Sequence, residues 1–350
     1  MTFLLVTAGL LVLAVVVFAL RYRAPDMSRF DTPRAPLMVQ EHEIDSGHDI
    51  VVGRLKEYLS KADPKAGVAV DRANMEEFLG REVPAEITPV DVDGIASEWV
   101  IAEGADPDRR LLYLHGGAFR VGSPKSHRHI TNELSKRAGA AVLAIDYRMQ
   151  PEHKVIACHE DARVAYRWIL QNGPAGPSEP NQVYVAGDSA GGNMTLALIA
   201  WARDAGLRAA DAAVAFAPLT DFTMSSPSWQ TNLETDPFLG PGLGRLANVP
   251  RWVVALSMRA SAGMPPNHPE LSPLFGDLSN LPPTLIQVSS AEMLYDDAQR
   301  YINKARHEGS PAELQVWPKL VHVFQGFPEV PEGEVALQLA ADFMTGHSSA

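Results

Sequence analysis

Three short stretches carry residue types that together could run acyl transfer. Residues 183–192 read VYVAGDSAGG, a strand pattern passing through G-x-S-x-G into a helical one. A serine at a tight strand-to-helix turn has an exposed hydroxyl, and Gly187 and Gly191 leave room for that turn. The amide of Ala190, at the helix start, can donate to a developing oxyanion. The bare pattern is weak; the strand before it and the helix after it give it weight. Residues 111–119, LLYLHGGAF, form another buried-strand pattern ending in His115-Gly116-Gly117. A plain turn would look the same, yet such a loop also offers the further backbone donors that an acyl-transfer serine needs. Both motifs on one chain point to Ser189 as nucleophile, with backbone amides of the His-Gly-Gly loop and of Ala190 as oxyanion donors.

A triad built on such a serine continues in the order acid, then histidine. His127, His129 and His153 precede Ser189, His115 belongs to the glycine loop, His268 lies beside Pro269 in an irregular stretch, and His347 is in the terminal tail. His307 falls on a helical pattern and reads as solvated. His322, in VWPKLVHVF between a short strand and the last helix, is the base candidate, because these sheets present catalytic groups on loops after strands. The strand over 284–288 is followed by SSAEMLYDD. Glu292, nearest the strand end, is the acid candidate and Asp296 the alternative. Asp296 and Asp297 also suit a helix start, where carboxylates are common.

These residues need a scaffold. Strand patterns at 87–92, 97–101, 111–115, 141–146, 182–186, 212–217 and 284–288 alternate with helical ones at 130–138, 158–171, 192–205 and 295–308. That alternation predicts an α/β fold with a mostly parallel central sheet and helices on both faces. The first two strands, joined at Asp93-Gly94, read as an antiparallel hairpin. Residues 221–272 break the alternation with Pro, Gly, Trp229, Trp252 and a helical stretch near 251–262, as a cap insertion would. Residues 21–48 read as a linker or loosely packed arm, and 51–59 and 74–79 as short helices.

The 350 residues suit one large α/β unit with an appendage. A formal charge of −12 argues against a general nucleic-acid binder. Cys158 is the only cysteine, so an internal disulfide and a cysteine zinc cluster are excluded. No ligand cluster suggests a metal or cofactor. Residues 3–20, FLLVTAGLLVLAVVVFAL, carry no charge and as a helix would span about 27 Å, near the thickness of a bilayer core. No basic residue precedes the run and no A-x-A site follows, which favours an uncleaved anchor over a signal peptide. Arg21, Arg23, Arg29 and Arg34 then place the body on the cytoplasmic side. The predicted organisation is an anchor over 1–22, linker and cap helices over 23–84, and a catalytic unit over 85–345 with an insertion at about 221–270.

His115-Gly-Gly-Ala118, Tyr147-Arg-x-x-Pro-Glu-His153, Gly187-Asp-Ser-Ala-Gly-Gly192 and Ser272-Pro-Leu-Phe-Gly-Asp-Leu-Ser279 with Leu281-Pro-Pro closely resemble the bacterial hormone-sensitive-lipase-like carboxylesterases (family IV) of the α/β-hydrolase fold. The resemblance covers about residues 50–345. It implies Ser189 as nucleophile, His322 as base, Glu292 as acid, and Gly116, Gly117 and Ala190 as the oxyanion hole. Most members carry Asp as the acid; a subset reads E-V-L-L-D-D, which Glu292-Met-Leu-Tyr-Asp-Asp297 matches. It also implies a helical cap from 49–80 and about 221–270, and small acyl esters of short to medium chain as substrates, with no cofactor. The anchor makes lipid-derived esters plausible, and self-association as a homodimer is open. Amide deacetylation, as in membrane-bound arylacetamide deacetylases, would use the same triad. A non-catalytic receptor on this fold would have lost the histidine, and His322 is present.

Overall fold

The computed structural model describes residues 24–32, 38–39, 46–61, 65–247 and 249–347. The apolar run 3–20 lies outside them. Among the described residues no helix is long and apolar enough to cross a membrane.

The strands of the main sheet are β1 Met38–Val39, β2 Glu86–Val92, β3 Ile95–Ile101, β4 Asp106–Leu114, β5 Ala140–Ile145, β6 Gln182–Asp188, β7 Ala212–Phe216, β8 Thr284–Ser289 and β9 Ala312–Trp317. They form a nine-stranded sheet in the order β1-β9-β8-β7-β6-β4-β5-β3-β2. Only β2 with β3 and β3 with β5 pair antiparallel; the other pairings in the sheet are parallel. The lead-in hairpin turns at Asp93-Gly94, where the Gly94 amide donates to Asp91 Oδ1 at 2.8 Å.

The helices are α1 Ser46–Ser60, α2 Val68–Leu79, α3 Arg128–Ala138, α4 Val155–Ile169, α5 Ala190–Asp204, α6 Ser228–Thr231, α7 Leu239–Ala247, α8 Arg251–Ala262, α9 Tyr295–His307 and α10 Pro331–Gly346. Both faces of the sheet are covered, which is why its inner strands are apolar at every position rather than at every second one. Along β4, Leu111 and Tyr113 enter a core with α3, α9 and α10, whereas Leu112 and Leu114 enter the opposite core with α4. Truncating the fully buried Leu112 to Ala costs about 2–5 kcal/mol, because the packed layers cannot close the cavity.

The arm differs from expectation. Residues 24–32 are pinned to α9: Phe30 is fully buried, its carbonyl accepts from Asn303 Nδ2 at 2.8 Å, and Asp31 pairs with Arg300. Phe30 and the buried Met27 anchor an otherwise polar stretch, and no periodicity announces two residues. Farther on, α1 and α2 bury Val51, Leu55, Met75 and Phe78 against Trp317, Leu320, Val321 and Phe324, so they pack around the His322 loop. The interval between β7 and β8 contains no strand and carries α6, α7 and α8. Asn193 on α5 clasps both ends of it, donating from Nδ2 to Leu219 O and Leu271 O at 2.7 Å each.

Candidate active site

Ser189 follows β6 and immediately precedes α5. Its backbone has φ 52° and ψ −112°, outside the regions open to ordinary L-residues and worth about 1–3 kcal/mol of strain. Bonds to neighbouring elements impose it: the Ser189 amide donates to Phe216 O at 2.8 Å, and Ser189 O accepts from the Asn193 amide at 3.0 Å. The turn also needs Gly191, because a Cβ there would fall 1.8 Å from Leu114 O.

The glycine loop after β4 corrects one residue of the predicted oxyanion hole. The Gly116 amide donates to Asp188 Oδ1 at 2.9 Å, so it is already engaged. The amides of Gly117, Ala118 and Ala190 make no hydrogen bond among the described residues. Gly116 is glycine for a different reason: a Cβ would lie 2.1 Å from Asp188 Oδ2. The residue before Ser189 thus clamps the glycine loop. Asp188 also accepts from Tyr113 Oη at 2.7 Å and lies 3.4 Å from His127 Nε2. Burial would raise the Asp188 pKa, but the His127 charge and these hydrogen bonds hold it below the usual carboxylate value. His115 is buried and stacked on Tyr147, and burial lowers its pKa to about 3, so it is neutral.

His322 and Glu292 come together from loops after β9 and β8. His322 Nδ1 stands 2.5 Å from Glu292 Oε2, with both side chains buried. The other carboxylate oxygen, Oε1, accepts from the Ser289 amide at 2.8 Å. Burial disfavours the His322 imidazolium, yet the Glu292 carboxylate beside it, with Asp236 and Asp188 adding, leaves its pKa raised. Asp296 and Asp297 serve elsewhere. Asp296 Oδ2 accepts from the Ser228 amide, and Asp297 Oδ2 from those of Thr220 and Asp221, all cap-side contacts.

Two apolar cavities meet at Ser189. One, of about 170 Å³, is lined by His322, His127, Gly117, Phe238 and Met75. The other, of about 210 Å³, is lined by Ala190, Phe222, Met224, Trp229 and Met258. Ala118, Leu239 and Leu243 border both. The cap therefore shapes both sides of Ser189. Among the described residues no group of three or more His, Cys, Asp or Glu could hold a metal ion.

Sequence reasoning passes over Ala118, Asp236 and His127. Ala118 follows the two glycines and has φ 54°, a conformation that residue type does not announce. Asp236 opens α7 by accepting from the Phe238 and Leu239 amides at 3.0 and 2.9 Å, and also from the Met293 amide at 3.0 Å. It ties the cap to the Glu292 loop. The run Asp236-Pro-Phe before a helix is the available signal. His307 is exposed on α9, and His268 Nδ1 accepts from the Glu270 amide.

Comparison with known proteins agrees with this arrangement. A family model described as the alpha/beta hydrolase fold matches residues 111–326. An acetyl-hydrolase of Streptomyces hygroscopicus is 40% identical over 279 residues, 79% of this chain and 88% of that protein. Esterase LipU of Mycobacterium tuberculosis (strain ATCC 25618 / H37Rv) is 36% identical, across 69% of this chain and 82% of its own length. The crystal structure of an esterase from the bacterial hormone-sensitive lipase family superposes with a TM-score of 0.76 at 33% identity, covering 88% of this chain and all of that one. The chain belongs to the hormone-sensitive-lipase-like (family IV) esterases of the α/β-hydrolase fold, and it is an ester-hydrolysing enzyme.

Proposed function

We propose that the chain is a carboxylesterase working through a Ser189–His322–Glu292 triad on short- to medium-chain acyl esters. His322 Nε2 takes the Ser189 hydroxyl proton as Oγ bonds to the acyl carbon. Glu292 holds the imidazole by its Nδ1 side and stabilises the imidazolium. The oxyanion is received by the amides of Gly117, Ala118 and Ala190, with Ala118 taking the donor's place that the sequence motif suggests for Gly116. On collapse the ester C–O bond breaks and His322 returns the proton to the leaving alcohol. Water, deprotonated by the same base, then releases the acid and restores Ser189. The observation that carries this reading is the 2.5 Å contact between His322 Nδ1 and Glu292 Oε2.

Because His322 must protonate the leaving oxygen, the alcohol belongs in the cavity of about 170 Å³ that His322 lines, and the acyl chain in the one of about 210 Å³. Each is below the roughly 300–1,000 Å³ of pockets for drug-sized ligands, which favours small groups on both sides. A chain-length panel of p-nitrophenyl esters with wild type and Ser189→Ala tests the assignment. The variant should lose turnover at every length; hydrolysis that persists in it would remove Ser189 as nucleophile.

We further propose that residues 3–20 anchor the enzyme to a membrane, with the catalytic body on the cytoplasmic side. The uncharged run and the arginines after it support this. In the full chain, Leu11→Arg/Val15→Arg should release the enzyme from the membrane fraction. Unchanged sedimentation of that variant would end the anchor reading.

A further inference from the structure

In a chain of net charge −12, the two longest stretches without aspartate or glutamate are residues 1–25 and residues 237–269, with 109–132 close behind. The first carries the apolar run with Arg21 and Arg23. The second carries α7 and α8 of the cap, with Arg245, Arg251 and Arg259. They are far apart in sequence, and the described end of the first, Ala24 and Pro25, lies beside α8. Ala24, Pro25, Asp26 and Met27 line one side of a groove of about 860 Å³ whose other side includes Arg251, Trp252 and Ala255 of α8.

The two faces of α8 differ. Val254, Ala255 and Ala262 are buried, and Met258 and Ser261 border the cavity assigned to the acyl chain. Trp252 and Leu256, 40% and 49% exposed, stand with exposed Arg259 at positions i, i+4 and i+7, a single helical stripe. Trp, Leu and Arg with no acidic residue is the composition of a helix that lies in a membrane interface.

We propose that this outer face of α8 rests on an anionic lipid surface, so that amphiphilic esters pass from the bilayer along α8 into the Ser189 site. The inference rests on the reading of residues 3–20 as an anchor, and chain length then forces the geometry. From Leu20 to Ala24 there are four residue steps, at most about 14 Å of fully extended chain. A bilayer-spanning run ending at Leu20 therefore keeps Ala24, and Trp252 across the groove from it, within reach of the headgroups. Charge complementarity acts in the same direction, since α8 carries Arg251 and Arg259 and no carboxylate, and Asp26 is the one acidic residue lining the groove.

The test uses the full chain reconstituted into phosphatidylcholine vesicles containing phosphatidylglycerol. Cys158, the only native cysteine, is buried, so the single variants Trp252→Cys and Val335→Cys each take one environment-sensitive NBD label. Val335 is 52% exposed on α10, whose core residues belong to the opposite face of the sheet from those of α8. NBD at 252 should shift to the blue and brighten about twofold or more, while NBD at 335 keeps a water-exposed emission. Matching emission at the two sites in vesicle-bound protein overturns the docking and leaves the anchor standing. Failure of the full chain to float with the vesicles removes both. A shift at 252 that grows with the protein-to-lipid ratio reports contact between copies and overturns the lipid assignment.

Discussion

Two carboxylate–imidazole pairs flank Ser189, both buried and both with a histidine lining the same cavity: Glu292–His322 and Asp188–His127. They differ in what else the carboxylate does. Asp188 accepts from the Gly116 amide and the Tyr113 hydroxyl, and its imidazole stays at 3.4 Å. Glu292 accepts the Ser289 amide on one oxygen and keeps the other for His322 at 2.5 Å. Their titration diverges accordingly. Burial raises the Glu292 pKa against the opposing pull of His322, while the donors around Asp188 overcome burial and lower it. A carboxylate surrounded by donors is a fixed anion that positions a loop. One that reserves an oxygen for an imidazole can orient a base.

The sharpest way to break this contrast is at the acid. Glu292→Ala should lower kcat about 10³–10⁴-fold in steady-state ester hydrolysis, whereas Asp296→Ala should stay within several-fold. Equal losses would reopen the choice between them. Next in size is Asp188→Asn, which weakens the clamp on Gly116. Loss of an oriented oxyanion loop should cost about 100-fold in kcat with little change in KM, and thermal melting checks that the fold persists.

The pairs should also separate by pH. His322 must be neutral to accept the serine proton, so activity is lost as pH falls through its pKa. Because that pKa is raised above the ordinary 6.5, the acid limb of kcat/KM should lie above that value. Glu292→Gln removes the neighbouring carboxylate that raises it, and the limb of the residual activity should move down. His127→Gln should leave the limb in place with a several-fold drop in kcat; a limb that moved with His127 would assign the titration to the wrong pair. The smallest effect is expected at the cap. Leu243→Ala, opening both cavities, should change kcat/KM by about three- to tenfold, mostly through KM, and flatten the chain-length preference.

Much of the scaffold is legible in the sequence because buried parallel strands are uninterrupted apolar runs. β5, AAVLAI, and β6, QVYVAGD, need only that pattern. Ser189 is legible because a strained turn narrows residue choice around it to glycine. The docking of the arm is not, since only Met27 and Phe30 are buried there and two side chains leave no period. Gly116 reads as a donor because a glycine that makes room for Asp188 looks the same in sequence as one that offers its amide to substrate. Asp236 escapes notice because its partner, the Met293 amide, lies on a loop separated from it by the remainder of the cap and β8.

By itself the sequence determined the order of strands and helices, the serine turn at Ser189, and the short set of histidines and carboxylates that could complete a triad. Those follow from local rules: burial period, turn geometry and chain order. Only the tertiary structure decided which carboxylate meets His322, which amides after His115 remain unengaged, and that Ala24 and Pro25 share a groove with Arg251, Trp252 and Ala255 of α8. Each of those depends on the approach of groups distant along the chain, and hydrogen bonds act over about 3 Å, a precision that no periodicity encodes.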